Sequence, residues 1–332
     1  MIDRLADTIA TQHGQAEPVC ETAAALSVPA TIVETANRLD DLTETNGLHA
    51  GLTLWRGEVT VLAHRLAGRM EERRRNGKVR HGHGALHLGH IGMVDGVPVP
   101  FDALDTEDRA ATGDVLYDLA FLLMDLVAQD RKDLANRLLN RYLVTTKDYD
   151  GLDLMALFMS LRAAIRTADC LHANGPTCRD GATYLTLAVD LLNAMRPPAL
   201  VAIGGISGSA RSSLAARLAA TMPGPFGAVI LTAYPGRLHA IRHAHLTLDA
   251  DQSAILDAPF RDPETRDAVR ALADSRDIAF RGFWMETGRP DPPCPAGWKR
   301  IEAGEPLPAM TARCLRALTT STAARWPSPF GT

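Results

Sequence analysis

A strand with water on one face alternates apolar and polar side chains, yet Ala199–Gly205 reads ALVAIGG without a polar residue. Such a run needs cover on both faces, which is the condition of a central strand in a parallel sheet. The residues after it agree. A Gly/Ser turn leads into a helix at SSLAARLAATM, then come apolar runs GAVILTA and SAILDAPF, a helix at DPETRDAVRALADSRD and a strand at IAFRGFWMET. Strand and helix in alternation predict a doubly wound α/β domain. From GRPDPPCPAGWKR onward the expectation is a Pro-rich loop and a last helix around AMTARCLRALTTS. The tail RWPSPFGT is expected to be disordered or an extended strap. Trp284 and Trp298 are expected to be packing residues.

Upstream the period is 3.6. IDRLADTIATQHG places Ile2, Leu5, Ala6 and Ile9 on one helical face. SVPATIVETANRLDDLTE opens with Ser27 as N-cap and Pro29 in the first turn. TLWRGEVTVLAHRLAGRMEERRRNG predicts one helix closing on basic residues and Gly77. Asp95-Gly96 between short apolar runs predicts a hairpin. Helices follow at DVLYDLAFLLMDLVAQD, LANRLLNRYLVTT, LDLMALFMSLRAAIRTADCLHA and DGATYLTLAVDLLNAM, and FLLMDLV is core. Arg196-Pro197-Pro198 ends the series. The expected architecture is α/β overall, with a mainly helical domain over 1–196 and an α/β domain over 199–332.

A net charge of −4 excludes a broad basic nucleic-acid footprint. The five cysteines are scattered without a CxxC pair, which argues against a disulfide framework or a structural zinc. MIDRLADTIATQHGQ lacks the apolar segment of a signal peptide, and no run approaches the roughly 20 apolar residues of a membrane span. A cytoplasmic protein without nucleic-acid or membrane partners is expected. The basic run Arg73, Arg74, Arg75, Lys78 and Arg80 is expected to be a solvated helix end, with an anion or acidic-partner contact as the alternative.

Two stretches carry residues suited to chemistry. The first, RHGHGALHLGHIGMVDGVPVPFD, is a loop and hairpin ending on an acid, an arrangement that suits phosphoryl transfer. His83-Gly84-Ala85-Leu86-His87-Leu88-Gly89-His90 with Phe101-Asp102 resembles the catalytic loop of the aminoglycoside-phosphotransferase branch of the kinase-like fold. That pattern is His-Gly-Asp-Leu-His-x-x-Asn, then a hairpin, then an apolar-Asp pair. DVLYDLAFLLMDL and NRYL extend the resemblance to the subgroup in which this module precedes a P-loop ATPase-like domain, so it spans nearly the whole chain. The resemblance implies a kinase-like C-terminal lobe in which His83 and His87 hold the loop and Asp102 is the metal-binding Asp. Ala85 stands where the catalytic Asp belongs and can neither accept a proton nor orient a hydroxyl. His90 stands for the metal-binding Asn and prefers softer metals than magnesium. The family's N-terminal lobe, with its glycine-rich loop and lysine, has no counterpart here. The apolar surface this bares is expected to meet a protein partner, a second copy or the chain's own N-terminal helices. A rival expectation makes His83, His87, His90 and Asp102 a metal site.

The second stretch is AIGGISGSARSSLAARL, strand, glycine-rich turn and helix, the context in which backbone N–H groups cradle phosphate. The pattern GxxxxGK[ST] falls on Gly205, Ile206-Ser207-Gly208-Ser209, Ala210, Arg211 and Ser212, with Ser213 next. Ala210 adds a Cβ where the pattern has glycine, and Arg211 puts a planar fork where it has lysine. Ser212 and Asp257 are candidates for magnesium, Asp257 also for a strand-end cap, and Thr232-Ala233-Tyr234 stands where similar domains carry an acid. ATP or GTP with magnesium is the implied cofactor, and no cofactor is the other option. Three functions are expected in order: a pseudoenzyme with a binding, regulatory or scaffold role, a slow ATP-dependent phosphotransferase, and an anion- or metal-binding interaction module.

Overall fold

The computed structural model describes residues 1–19, 26–43, 47–105, 109–174, 179–194, 197–205, 208–232, 236–287 and 293–319. The chain divides into two compact units, Met1–Met195 and Arg196–Thr332, separated at the Arg-Pro-Pro break. The tail RWPSPFGT lies outside the described residues.

The first unit contains α1 (Ile2–Gln15), α2 (Val28–Thr43), α3 (His49–Arg65), α4 (Ala67–Arg75), β1 (Val79–His81), β2 (Ile91–Val94) and β3 (Val97–Pro100). After these come β4 (Thr112–Asp114), α5 (Val115–Ala128), α6 (Lys132–Thr146), α7 (Met155–Asn174) and α8 (Arg179–Asn193). Every residue of α5 from Val115 to Leu126 is buried, as a helix apolar on all sides requires. It is the axis of the unit, with α6 and α7 packed on it, α8 on α7, and α1 on α6. The hairpin β2–β3 turns at Asp95-Gly96, both with positive φ (50° and 74°), which glycine adopts without strain.

Two expectations are corrected here. The single helix expected to end at Gly77 is two, because the chain leaves helical dihedrals at Leu66 (ψ 4°) and restarts as α4. The basic run is not a solvated helix end. Arg73 on α4 is only 1% exposed, held by two carboxylates: its Nε donates to Asp114 Oδ2 at 2.6 Å and its Nη1 to Asp148 Oδ1 at 2.7 Å. Arg80 donates to the backbone carbonyls of His13, Gly14 and Ala16 at 2.8–3.0 Å, tying α1 to β1. Arg75 alone of the arginine triplet is largely solvated.

The second unit contains β5 (Ala199–Gly205), α9 (Gly208–Thr221), β6 (Val229–Thr232), α10 (Arg237–Asp249), β7 (Ala254–Asp257) and α11 (Pro263–Asp274). It ends with β8 (Ala279–Glu286), β9 (Lys299–Glu302) and α12 (Leu307–Thr319). The five strands form one parallel sheet in the order β6-β7-β5-β8-β9, with β5 central and buried at every position. Ala199, Val201 and Ile203 share a core with Leu214, Leu218, Met310 and Cys314, so α9 and α12 cover one face. The paired helices α10 and α11 pack on the sheet separately from these. The expected parallel sheet with a buried ALVAIGG strand is therefore present.

α10 was not expected, because RLHAIRHAHLTLD has almost no apolar contrast; its inner stripe is Ala240, Ala244, Thr247 and Leu248. β9 lies where a Pro-rich loop was expected. Trp298, just before it, is buried against Phe260, Phe280 and Trp284, and a Cβ on Gly282 would lie 2.3 Å from it. Among the described residues no helix is long and apolar enough to cross a membrane.

Candidate functional site

The loop between β1 and β2 is suspended from α5. Asp118, buried, accepts from the backbone N–H of His83 at 2.8 Å and of Gly84 at 3.0 Å. His13 Nε2 lies 3.1 Å from the same carboxylate while its Nδ1 meets the Tyr142 hydroxyl at 3.0 Å, so α1, α5 and α6 together fix the strut. Burial pushes the Asp118 carboxyl up, but the His13 hydrogen bond and charge, with Arg162 and the His83 amide, hold it below the usual carboxylate value. One helical stretch on, Asp125 accepts from Leu88 N–H at 3.1 Å and from the Tyr184 hydroxyl at 3.2 Å. Burial dominates there and raises its pKa. Gly84 needs its identity: φ is +76°, and a Cβ would stand 2.7 Å from Leu104 and 3.0 Å from the Ala111 backbone.

The three loop histidines each spend a ring nitrogen on backbone. His83 Nε2 donates to Phe101 O at 2.9 Å and His90 Nδ1 to Ala85 O at 2.9 Å, since a carbonyl only accepts. His87 Nδ1 accepts from Gly89 N–H at 3.1 Å. The His87 and His90 rings lie 3.9 Å apart between centroids, and His90 Nε2 stands 3.5 Å from Asp102, which is largely exposed and has φ 59°. Ala85 presents a methyl group and a carbonyl already bonded to His90. Among the described residues no three His, Cys, Asp or Glu side chains converge in a group able to hold a metal ion.

Burial lowers the His87 pKa to about 4, with His90, Arg166, His83 and Arg162 adding repulsion. The sign follows. The unfolded chain takes up a proton near the ordinary histidine value of about 6.5 and the folded chain does not, so stability falls as pH drops from there to the folded value. His87→Asn, which keeps an acceptor for Gly89, is expected to flatten this part of the stability–pH curve in urea titrations. An unchanged curve contradicts it.

In the second unit α9 follows β5 and shares one face with α12, whereas α11, which follows the neighbouring strand β7, packs with α10. Adjacent strands whose connections part in this way open a crevice at their carboxyl ends, the switch point where open α/β sheets bind ligands. Gly205, Arg211, Ser212 and Asp257 meet there. Arg211, 8% exposed, donates from Nε to Asp257 Oδ1 at 3.0 Å and from Nη1 to Gly205 O at 2.5 Å. Ser212 Oγ donates to Asp257 Oδ2 at 2.5 Å. Both carboxylate oxygens of Asp257 thus have partners within the protein. Gly205 has φ +114°, and a Cβ there would lie 2.3 Å from Met285 O. Ala210 turns its methyl toward the α9 core. Gly208, Ser209 and Ser213 are exposed on the first turns of α9, and Ser207 lies outside the described residues, as do Ala233 and Tyr234.

The struts under the first loop escaped the sequence. Asp118 and Asp125 sit inside DVLYDLAFLLMDLV, read as core; two acids seven residues apart in an otherwise apolar helix were the available signal. His13 carried none, standing at the end of an ordinary amphipathic helix.

No protein-family model matches the chain. Curated proteins of Mycobacterium bovis and of two Mycobacterium tuberculosis strains are each 29% identical to it over 247 residues, 65% of this chain and 49% of theirs, and all are described as uncharacterised. The chain spans about half the length of these curated relatives.

Proposed function

We propose that the chain is a pseudoenzyme: a kinase-like module without its base, followed by a P-loop-like unit, kept for binding or regulation. The observation that carries this reading is the Arg211–Asp257–Ser212 cluster. The cation that would meet phosphate is committed to an acid and a carbonyl, and the acid that would meet magnesium is committed to Arg211 and Ser212. Ala85 supports it from the other unit, because the loop there is fully held by Asp118 and Asp125 yet offers no group to take a proton. A groove of α3 and α8 lined by exposed Leu54 and Val61 supports the interaction side of the reading.

The runner-up is a weak ATP- or GTP-dependent phosphotransferase. One observation favours it: the switch-point crevice gathers a serine, an arginine and an acid beside a helix N-terminus, the chemical set a nucleotide with magnesium requires. Ser212 and Asp257 would hold the ion, and Arg211 with the α9 amides the phosphates. The double variant Ala210→Gly, Arg211→Lys separates the two. The pseudoenzyme reading expects calorimetric ATP–Mg binding to appear in the variant and to be missing from the parent. Equal binding in both overturns it.

A further inference from the structure

His239 and His243 stand one helical turn apart on α10, and each precedes a buried alanine, Ala240 and Ala244. One residue is a step of about 100° round a helix, so both imidazoles lie in one row at the rim of the buried stripe. His239 is exposed and His243 half-buried. Side chains at i and i+4 are neighbours on a helix surface. The two rings follow that rule, their centroids 6.4 Å apart and their planes tilted by 51°.

A neutral imidazole keeps one unprotonated nitrogen that it can give to a metal. A metal–nitrogen bond of about 2.0–2.1 Å puts the ion about 3.2 Å from the centroid of the ring that holds it, so two rings bent around one ion are about 5 Å apart. Rotation of the exposed His239 side chain closes the remaining distance. The chemistry also selects the ion. Imidazole suits zinc, nickel and copper, whereas magnesium and calcium call for oxygen ligands. The stretch RLHAIRHA carries no acid to favour a hard cation. Arg242 lies within it but is exposed, where the solution screens its charge. Two protein nitrogens leave the other positions of the ion to water, a smaller demand than the three-ligand grouping absent from the described residues.

We propose that His239 and His243 chelate a divalent transition cation, zinc or its neighbours nickel and copper, on the surface of α10. The site is separate from the histidines of the first unit's loop. α10 follows β6, whose last residue Thr232 pairs opposite Asp257, so the site belongs to the helix that leaves the sheet edge on which Asp257 stands.

The test titrates the full chain with zinc chloride and follows the imidazole ring protons by NMR, with His239→Ala and His243→Ala assigning the two rings. Both rings are expected to respond together along one saturation curve. Either single variant is expected to weaken zinc binding at the remaining ring about ten-fold or more, because the second contact is no longer intramolecular. Magnesium at the same concentration is expected to move neither ring. Both substitutions fall outside the buried stripe and alanine is the best helix former, so the variants are expected to fold. Different saturation curves for the two rings, or a remaining ring that binds as tightly as before, overturns the proposal. So does an equal response to magnesium, or no saturation below about 1 mM zinc.

Discussion

Arg73→Met is expected to cost the first unit about 3–5 kcal/mol, the loss found when one member of a buried ion pair is removed and the other stays. The reason is the company Arg73 keeps. It is 1% exposed, it bonds Asp114 through Nε and Nη2 and Asp148 through Nη1 and Nη2, and Asp150 stands 3.6 Å away. Lys78, 3.3 Å from Asp148, would remain beside the acids, with Arg69 farther off. Since whole domains are stable by roughly 5–15 kcal/mol, the variant is expected to be marginal at room temperature. Urea unfolding followed by circular dichroism measures it, and a loss under about 1 kcal/mol contradicts the buried network. Burial pushes the Asp148 carboxyl up, but the Arg73 hydrogen bonds and charge bring it down to about 2. Its contribution is therefore present above the ordinary carboxylate value and lost as pH falls toward 2. In Arg73→Met the pairing that holds Asp148 low is gone, so this acid-side loss is expected to shrink or reverse.

Arg211→Ala is the second large expected effect, again about 3–5 kcal/mol, because it leaves Asp257 buried with Ser212 as its one remaining side-chain partner among the described residues. It also removes the donor to Gly205 O, where φ +114° already makes the backbone intolerant of change. Asp257→Asn tests the pairing. The double variant Arg211→Ala, Asp257→Asn is expected to be more stable than the sum of the single losses implies, since the uncompensated charge is gone. Additive losses contradict a direct pair.

Sequence alone reached the elements whose pattern is carried by consecutive residues. ALVAIGG has no polar position, so its place in the middle of a parallel sheet follows from burial alone. Asp95-Gly96 writes its own turn. Elements defined by distant partners were not legible in this way. Three-residue strands β1 and β4 exist because they pair with each other, Val79 opposite Asp114. Arg73 looked like one cation in a solvated run until Asp114 and Asp148 were brought to it from 41 and 75 residues away. α10 spreads its apolar residues around the helix, exposed Leu238 among them, so the sequence carries no clear stripe to say which face meets the strands. The candidate sites divide in the same way. Gly205, Arg211 and Ser212 follow one another in the chain and could be assigned by spacing. Asp257 joins them only through the pairing of β5 with β7, Ile203 opposite Asp257. His13 and Asp118, 105 residues apart, needed the packing of α1 on α6.

Arg211, Ser212 and Asp257 close the switch-point crevice on itself. Isothermal calorimetry of the unaltered chain with ATP and magnesium tests it most directly. No heat of binding at millimolar nucleotide is the expected result; micromolar affinity that Arg211→Ala abolishes, with the variant still folded, would contradict it.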